Sequence, residues 1–160
     1  MRSLENGIER ISVGVALLGA GLMLATALLI TVSVVKRWLT AQGIDGDFDL
    51  IQLALPIAVF TFLPVCHLHR ANIVVDSFTT RMPSRGQRAI DGFWSLVYAG
   101  VAGLIAWGMF QGARETIANH TTSMMIGLPI GWGMVVATVF AAWLVAAAIA
   151  SAILLLRAKA

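Results

Sequence analysis

Charged residues are scarce in this sequence, and they are unevenly spread. Only 12% of the 160 residues are Asp, Glu, Lys or Arg, while 59% are hydrophobic. A soluble domain has about 25% charged and about 45–50% apolar residues. The formal net charge is a small +3, and the basic residues lie at the ends of apolar runs instead of forming one basic face. This composition argues against nucleic-acid binding and predicts one integral membrane domain, residues 1–160.

Residues that would carry chemistry are also few. The single cysteine, Cys66, excludes an internal disulfide, and no serine, cysteine or paired-carboxylate arrangement is typical of an active site. The stretch GIDGDFD begins like a calcium-binding loop, but Leu50 stands where that loop needs glycine and Pro56 where it needs glutamate. We therefore expect no enzymatic activity and no metal or cofactor. The acidic residues of this stretch are predicted to lie in a solvated loop: Asp45, Asp47 and Asp49.

Four long apolar runs are present, and a helix needs about 20 apolar residues to cross a bilayer. The first run, Ile11 to Val35, has no charge over 25 residues, which is too long for a signal peptide with its apolar region of about 7–15 residues. We predict an all-α membrane protein in which residues 124–133, with Pro129 and three glycines, form an interfacial or re-entrant segment. The four transmembrane helices are predicted at approximately residues 11–35, 48–68, 91–113 and 134–156.

The distribution of Lys and Arg predicts the orientation of these helices. Eight basic residues lie in the two terminal segments and the second loop, and three lie on the other side. Because cytoplasmic loops are enriched in Lys and Arg, we expect both termini to be cytoplasmic in a bacterial inner membrane. The loops that hold GIDGDFD and RETIANHTTS are then periplasmic.

The second loop is predicted to form a short amphipathic surface helix at approximately residues 72–82. Val75, Phe78 and Met82 recur at helical spacing and form one apolar stripe, and the arginines beside them can reach lipid headgroups. An anchor to membrane lipids and a docking surface for another subunit are both consistent with this pattern.

Ionisable residues are missing from the middle of every predicted span. A protein that moves ions or protons by itself usually carries such residues inside the membrane, which argues against a self-contained exporter. A haem-anchoring subunit would need two histidines at matching depth, whereas His67 and His69 are predicted at one surface and His120 at the other. We expect all three to be interfacial histidines, and the membrane anchor of an oxidoreductase complex is the alternative function.

Small residues recur along the spans at spacings that allow helix backbones to approach closely. Such spacing is consistent with packing among the four helices and with contact to another protein. The residues are Gly14, Gly19, Gly21, Ala99, Gly103, Gly108, Gly112, Ala142, Ala146 and Ala150.

Two stretches together resemble a known family. FLPVCHLHRANIVVDSFTTRMP, followed by GARETIANHTTSMMIGLPIGWGM, is similar to the small membrane subunit of tripartite ATP-independent periplasmic (TRAP) transporters, the DctQ-like family. The resemblance runs from about Leu50 to Leu156. It implies a scaffold subunit that stabilises and orients a large, many-span permease subunit. It further implies a periplasmic substrate-binding protein as partner and sodium-driven uptake of an organic acid, such as a C4-dicarboxylate.

The resemblance also selects candidate contact residues, although it implies no catalytic set. On the cytoplasmic side the candidates are Arg70, Asn72 and Asp76, and on the periplasmic side they are Arg114, Glu115, His120 and Pro129. The alternative interpretation of the periplasmic group is a polar connection at the membrane interface.

Reversing the charge of Asp76 tests the cytoplasmic candidates. Because Asp76 is expected to pair with a basic residue of this chain or of the permease, Asp76→Arg should weaken assembly of the complex. Co-purification and uptake measure this effect, and normal values of both would refute the assignment.

Overall fold

The computed structural model describes residues 2–69 and 84–157, and these residues form four α-helices. The predicted surface helix at residues 72–82 and the contact candidates Arg70, Asn72 and Asp76 lie outside the described residues. The helices are α1 (Arg2–Thr40), α2 (Asp47–Leu68), α3 (Ser84–Ala118) and α4 (Ile130–Arg157).

Each of the four helices is long and apolar enough to cross a membrane, which confirms the all-helical, four-span prediction. The candidate spans are Gly7–Thr40, Asp47–Leu68, Ile90–Ala118 and Ile130–Ile153. α2 has 22 residues and a length of ~33 Å, close to the ~30 Å of the hydrocarbon core. α1, with 39 residues, is ~58 Å long and exceeds that thickness.

The helices pack in a row in the order α1, α2, α4, α3. α1 packs on α2, α2 on α4, and α4 on α3. Within the chain, 28% of the apolar stretch of both α2 and α4 is buried, compared with 6% for α1 and 11% for α3. The two central helices therefore supply the core, and the outer helices present long apolar faces.

Small side chains dominate this core. The buried residues of α4 recur every three or four positions, so that they form one face of the helix. Alanine on this face allows the neighbouring backbones to approach closely, which is how membrane helices gain packing energy without help from water. The buried hydrophobic residues in the described part of α4 are Ala137, Ala141, Leu144, Ala147, Ala148 and Ala152.

Only some of the predicted small-residue positions serve this internal packing. Ala99 is buried, and a Cβ atom added at Gly19 would overlap the hydroxyl group of Thr61. By contrast, Ala142 and Ala146 are exposed. A Cβ atom added at Gly14, Gly21, Gly103 or Gly108 would meet no atom within 4 Å.

The contact between α1 and α2 depends on the absence of a side chain at Gly19. Thr61 is buried and donates a hydrogen bond to the Ala58 carbonyl at 2.6 Å, so its hydroxyl cannot turn away without losing that bond. We predict that Gly19→Ala destabilises the chain by about 1–3 kcal/mol through overpacking. Thermal unfolding in detergent measures this change.

Gly21→Ala is the matched control, because its new methyl group meets open space on the same helix. The double variant Gly19→Ala/Thr61→Ala should recover part of the lost stability, since the overlapping hydroxyl is gone. Equal stability of the Gly19 and Gly21 variants would contradict the proposed close contact.

Candidate functional site

The connections α1–α2 and α3–α4 meet at one end of the row, which we call the two-loop end (residues 41–46 and 119–129). Their meeting point is the carboxylate of Asp49, in the first turn of α2. Asp49 Oδ2 accepts backbone N–H bonds from Met125 and Ile126, both at 3.0 Å, and the Asp49 side chain also accepts a hydrogen bond from the Ser123 hydroxyl. Asp49 is only 2% exposed. We call this arrangement the Asp49 clamp.

The segment held by the clamp is closed by its own hydrogen bonds. The Ser123 N–H donates to the Leu128 carbonyl at 2.8 Å, and the Leu128 N–H donates to Ser123 Oγ at 2.9 Å. Gly127 makes the turn between them with a φ of 65°, a left-handed conformation that glycine adopts without steric cost. The segment therefore has a defined backbone shape before any partner binds.

The first connection fits against this segment through Gly46. Gly46 has a φ of 82°, and a Cβ atom added there would lie 2.6 Å from side-chain atoms of Ile126. Glycine is thus required at this position both for the backbone turn and for the close approach of Ile126.

A second cluster joins the end of α1 to the start of α2. Ser33, which is 1% exposed, donates a hydrogen bond to Asp47 Oδ2 at 2.5 Å and accepts one from the Ile44 N–H at 3.1 Å. The Arg37 guanidinium lies 3.8 Å from the same Asp47 oxygen. These contacts tie the α1–α2 connection to the helices on both of its sides.

The prediction of a solvated acidic loop is therefore wrong for two of its three residues. Asp47 and Asp49 are engaged by hydrogen-bond donors, and only Asp45 is exposed. A carboxylate leaves water at acceptable cost only when donors replace its hydration, and both residues also lie in the first turn of α2, where the helix dipole favours negative charge. One sequence signal was available: acidic residues stand directly at the start of an apolar helix.

The Asp49 clamp and the contacts around Ser33 and Asp47 are suited to holding backbone segments and not to binding a metal. Among the residues that the structure describes, no group of three or more His, Cys, Asp or Glu side chains is arranged as metal ligands. The Asp49 clamp uses one carboxylate and three neutral donors, which is an arrangement that fixes a loop.

Two of the predicted contact residues, Arg114 and Glu115, lie near the C-terminal end of α3 with exposed side chains. The Arg114 guanidinium carbon lies 5.9 Å from the centroid of the Phe110 ring, one helical turn away. Neither residue belongs to the Asp49 clamp, and their role as partner contacts stays a prediction.

His120 and Pro129 are positioned by the backbone. The His120 N–H donates to the Ile117 carbonyl and the Thr121 N–H to the Thr116 carbonyl, which is the Schellman arrangement that ends a helix. His120 has the left-handed φ of 50° that this arrangement needs, and its side chain is exposed. Pro129 pairs with Thr122 in an isolated bridge immediately before α4.

The first two histidines lie at the opposite end of the row. His67 is 8% exposed and stacks on Tyr98, with ring centroids 4.5 Å apart and planes 10° apart, so its side chain packs within the chain at the end of α2. His69 is exposed, with its Nε2 atom 3.6 Å from Glu9 Oε1. His120 lies at the two-loop end, so the histidines do not form a pair across a shared haem plane.

Comparison with known families gives one result for this chain. The model of the family described as "Tripartite ATP-independent periplasmic transporters, DctQ component" matches residues 26–158, more than four-fifths of the chain. The match includes Ser33, Asp47, Asp49 and the whole two-loop end. Searches of curated proteins and of solved structures gave no match.

Removing the carboxylate of Asp49 should release the α3–α4 connection. In Asp49→Ala the Met125 and Ile126 amides lose a charged acceptor, and we expect their hydrogen exchange to become roughly tenfold faster or more. Hydrogen–deuterium exchange with peptide readout, on the chain in detergent or nanodiscs, measures this.

The control is Asp45→Ala, which removes an exposed carboxylate of the same connection and should leave that exchange unchanged. If Asp49→Ala exchanges like the unaltered chain over residues 123–128, the Asp49 clamp does not hold the segment.

Proposed function

We propose that this chain, which belongs to the DctQ component family of tripartite ATP-independent periplasmic transporters, acts as the scaffold subunit of a sodium-driven importer of organic acids. Substrates of the C4-dicarboxylate type are the class we favour. The match to the family carries the assignment to a transporter, and the exposed apolar faces of α1 and α3 support the scaffold role.

The positions of the charged residues favour a scaffold role over a role in binding and moving the substrate. Within the described residues, the spans have their Asp, Glu, Lys and Arg at or near the helix ends. Substrate and ion pathways usually require ionisable groups deep in the membrane. In this proposal the large permease subunit supplies those groups, and a periplasmic binding protein delivers the substrate.

The open row of helices supports association with a large partner. α1 has only 6% of its apolar stretch buried within the chain, and its exposed leucines lie along most of its length. We propose that the permease covers part of this surface and that lipid covers the rest. The α1 leucines exposed by 66–73% are Leu17, Leu18, Leu24, Leu28 and Leu39.

The orientation follows from the same reasoning as the sequence-based prediction. With both termini in the bacterial cytoplasm, the two-loop end faces the periplasm. Arg114, Glu115, His120 and Pro129 then lie exposed on the side where the binding protein arrives, and Arg70, Asn72 and Asp76 lie on the cytoplasmic side. We propose these two groups as partner contacts.

Co-purification tests the assignment directly. The tagged chain is expressed with the many-span permease encoded beside it, extracted in mild detergent and reconstituted in liposomes. We expect a stable complex whose uptake requires both a sodium gradient and the binding protein. Purification of the chain without any permease would contradict the proposal.

A bulky residue on the open face of α1 should weaken the complex without disturbing the chain. Gly14 and Gly21 are seven residues apart, which places them on one face of the helix, and neither would crowd a neighbour within the chain. Because they leave space for a close helix approach, we expect Gly21→Leu to reduce recovery of the permease at least severalfold. Quantitative co-purification measures this.

Gly108→Leu on α3 serves as the control, since Gly108 also faces open space and lies on the helix at the other edge of the row. Thermal unfolding of both isolated variants should match that of the unaltered chain. Loss of the permease with Gly108→Leu but not with Gly21→Leu would move the interface from α1 to α3.

A further inference from the structure

The two-loop end carries an exposed apolar tip that the scaffold role does not explain. Its residues are Met124, Met125 and Ile126, which we call the methionine tip. Met124 is fully exposed, and Met125 is 65% exposed. The Asp49 clamp binds the backbone of Met125 and Ile126, and the Ile126 side chain contacts Gly46, so the tip is held in place while the Met124 and Met125 side chains stay exposed. Apolar groups presented on a fixed backbone indicate a surface that meets an apolar environment.

The clamp also sets the depth of the tip along the helices. Because Asp49 Oδ2 lies 3.0 Å from both tip amides, the tip lies at the level of the first turn of α2. Gly133 of α4 packs against Leu53, which lies four residues further along α2, or ~6 Å towards the middle of the span. The tip is therefore about one helical turn outside Trp132.

The tip lies between the levels of two tryptophans, Trp132 on its inner side and Trp38 on its outer side. Ser33 contacts Asp47, and Trp38 lies five residues beyond Ser33 on α1, or ~7.5 Å further outward. Trp38 is 84% exposed and Trp132 is 66% exposed. Exposed tryptophans collect at the headgroup level of a bilayer, so the methionine tip lies within that level.

Exposed apolar side chains also occur along α2 and α4, the two spans that begin near the tip. On α2, Phe48, Leu55 and Val59 are exposed at helical spacing, and on α4, Trp132, Val136 and Val139 are exposed in the same way. The backbone of Met125 lies beside the first turn of α2, where the exposed residues of α2 begin. The lipid bilayer is a partner that covers the exposed faces of the spans and also reaches the tip at the level of its headgroups.

We propose that the methionine tip is a lipid-contacting anchor, with the Met124 and Met125 side chains at the boundary between phospholipid headgroups and acyl chains. The Asp49 clamp acts as the positioning group that holds the tip at this depth. Methionine suits this boundary because its flexible, polarisable side chain adapts to an irregular surface. This inference concerns the chain's own contact with lipid and does not rest on the proposed transport function.

Depth-dependent fluorescence quenching tests the anchor. In a Cys66→Ala background, Met124→Cys is labelled with an environment-sensitive fluorophore, and the full chain is placed in nanodiscs of phosphatidylethanolamine and phosphatidylglycerol. Lipids with a doxyl quencher near the headgroup report contact with the boundary, and iodide reports exposure to water. Asp45→Cys provides the water-exposed reference, and Leu104→Cys, on the exposed face of α3, provides the reference inside the bilayer.

We expect the label at position 124 to be quenched at least twofold more by the shallow doxyl lipid than the label at position 45, and to be protected from iodide. Quenching by iodide as strong as at position 45, without a response to doxyl lipid, would overturn the proposal. If Met124→Cys fails to fold, Met125→Cys replaces it with the same expectations.

Two further measurements test the positioning role of the clamp and distinguish a lipid-covered tip from a protein-covered one. Adding Asp49→Ala should at least halve the difference between lipid and iodide quenching, and an unchanged difference would show that the clamp does not set the depth. The measurement is then repeated with the permease co-purified. Loss of quenching by doxyl lipid and iodide together would mean that a protein covers the tip, which would also overturn the proposal.

Discussion

The buried carboxylate of Asp49 joins two helical hairpins at the end where their connecting segments meet. α1 packs on α2, α3 packs on α4, and the two pairs meet along α2 and α4. At the two-loop end this seam is closed by Asp49, by Ile126 over Gly46, and by Leu53 against Gly133. An isolated carboxylate in this position would be costly. Its donors come from residues 74 to 77 positions away, so the charge is tolerated only when both hairpins are in place.

This dependence explains why the chain can keep a small core. The buried face of α4 consists mostly of alanine, and alanine contributes close contact without much area. In lipid, where apolar side chains gain little by leaving the solvent, hydrogen bonds and tight backbone packing supply the specificity between helices. Apolar faces alone would let the helices slide along one another. The polar clusters at Asp47 and Asp49 fix their register. The Trp143 indole N–H, which donates a hydrogen bond to Ser12 Oγ at 3.1 Å, does the same between α4 and α1.

Hydropathy is sufficient to predict four spans because each apolar run must satisfy its backbone within one helix. It underestimates the helices at their ends: the first span is expected to end at Val35, but α1 continues through Lys36 and Arg37 to Thr40. Helical hydrogen bonding continues until a residue such as Ala41, with φ of 58°, turns the chain. The role of Asp49 could not be predicted, since its partners are 76 and 77 residues distant and nothing in GIDGDFD identifies them. The stacking of His67 on Tyr98 could not be predicted for the same reason, because Tyr98 lies on another helix.

The contact between α2 and α4 lies inside the row, whereas the outer faces of α1 and α3 are exposed. This difference determines where a partner can bind. The internal contacts engage α2 and α4 on both of their sides, so the described part of the chain has its largest remaining apolar surfaces at the two edges. In our proposal the partner binds at the α1 edge, away from the seam between α2 and α4 and from the Asp49 clamp that holds the methionine tip. The two proposals therefore assign depth in the bilayer and attachment to a partner to different parts of the chain. A scaffold subunit of this kind would hold a larger protein at a set height in the membrane without changing its own structure.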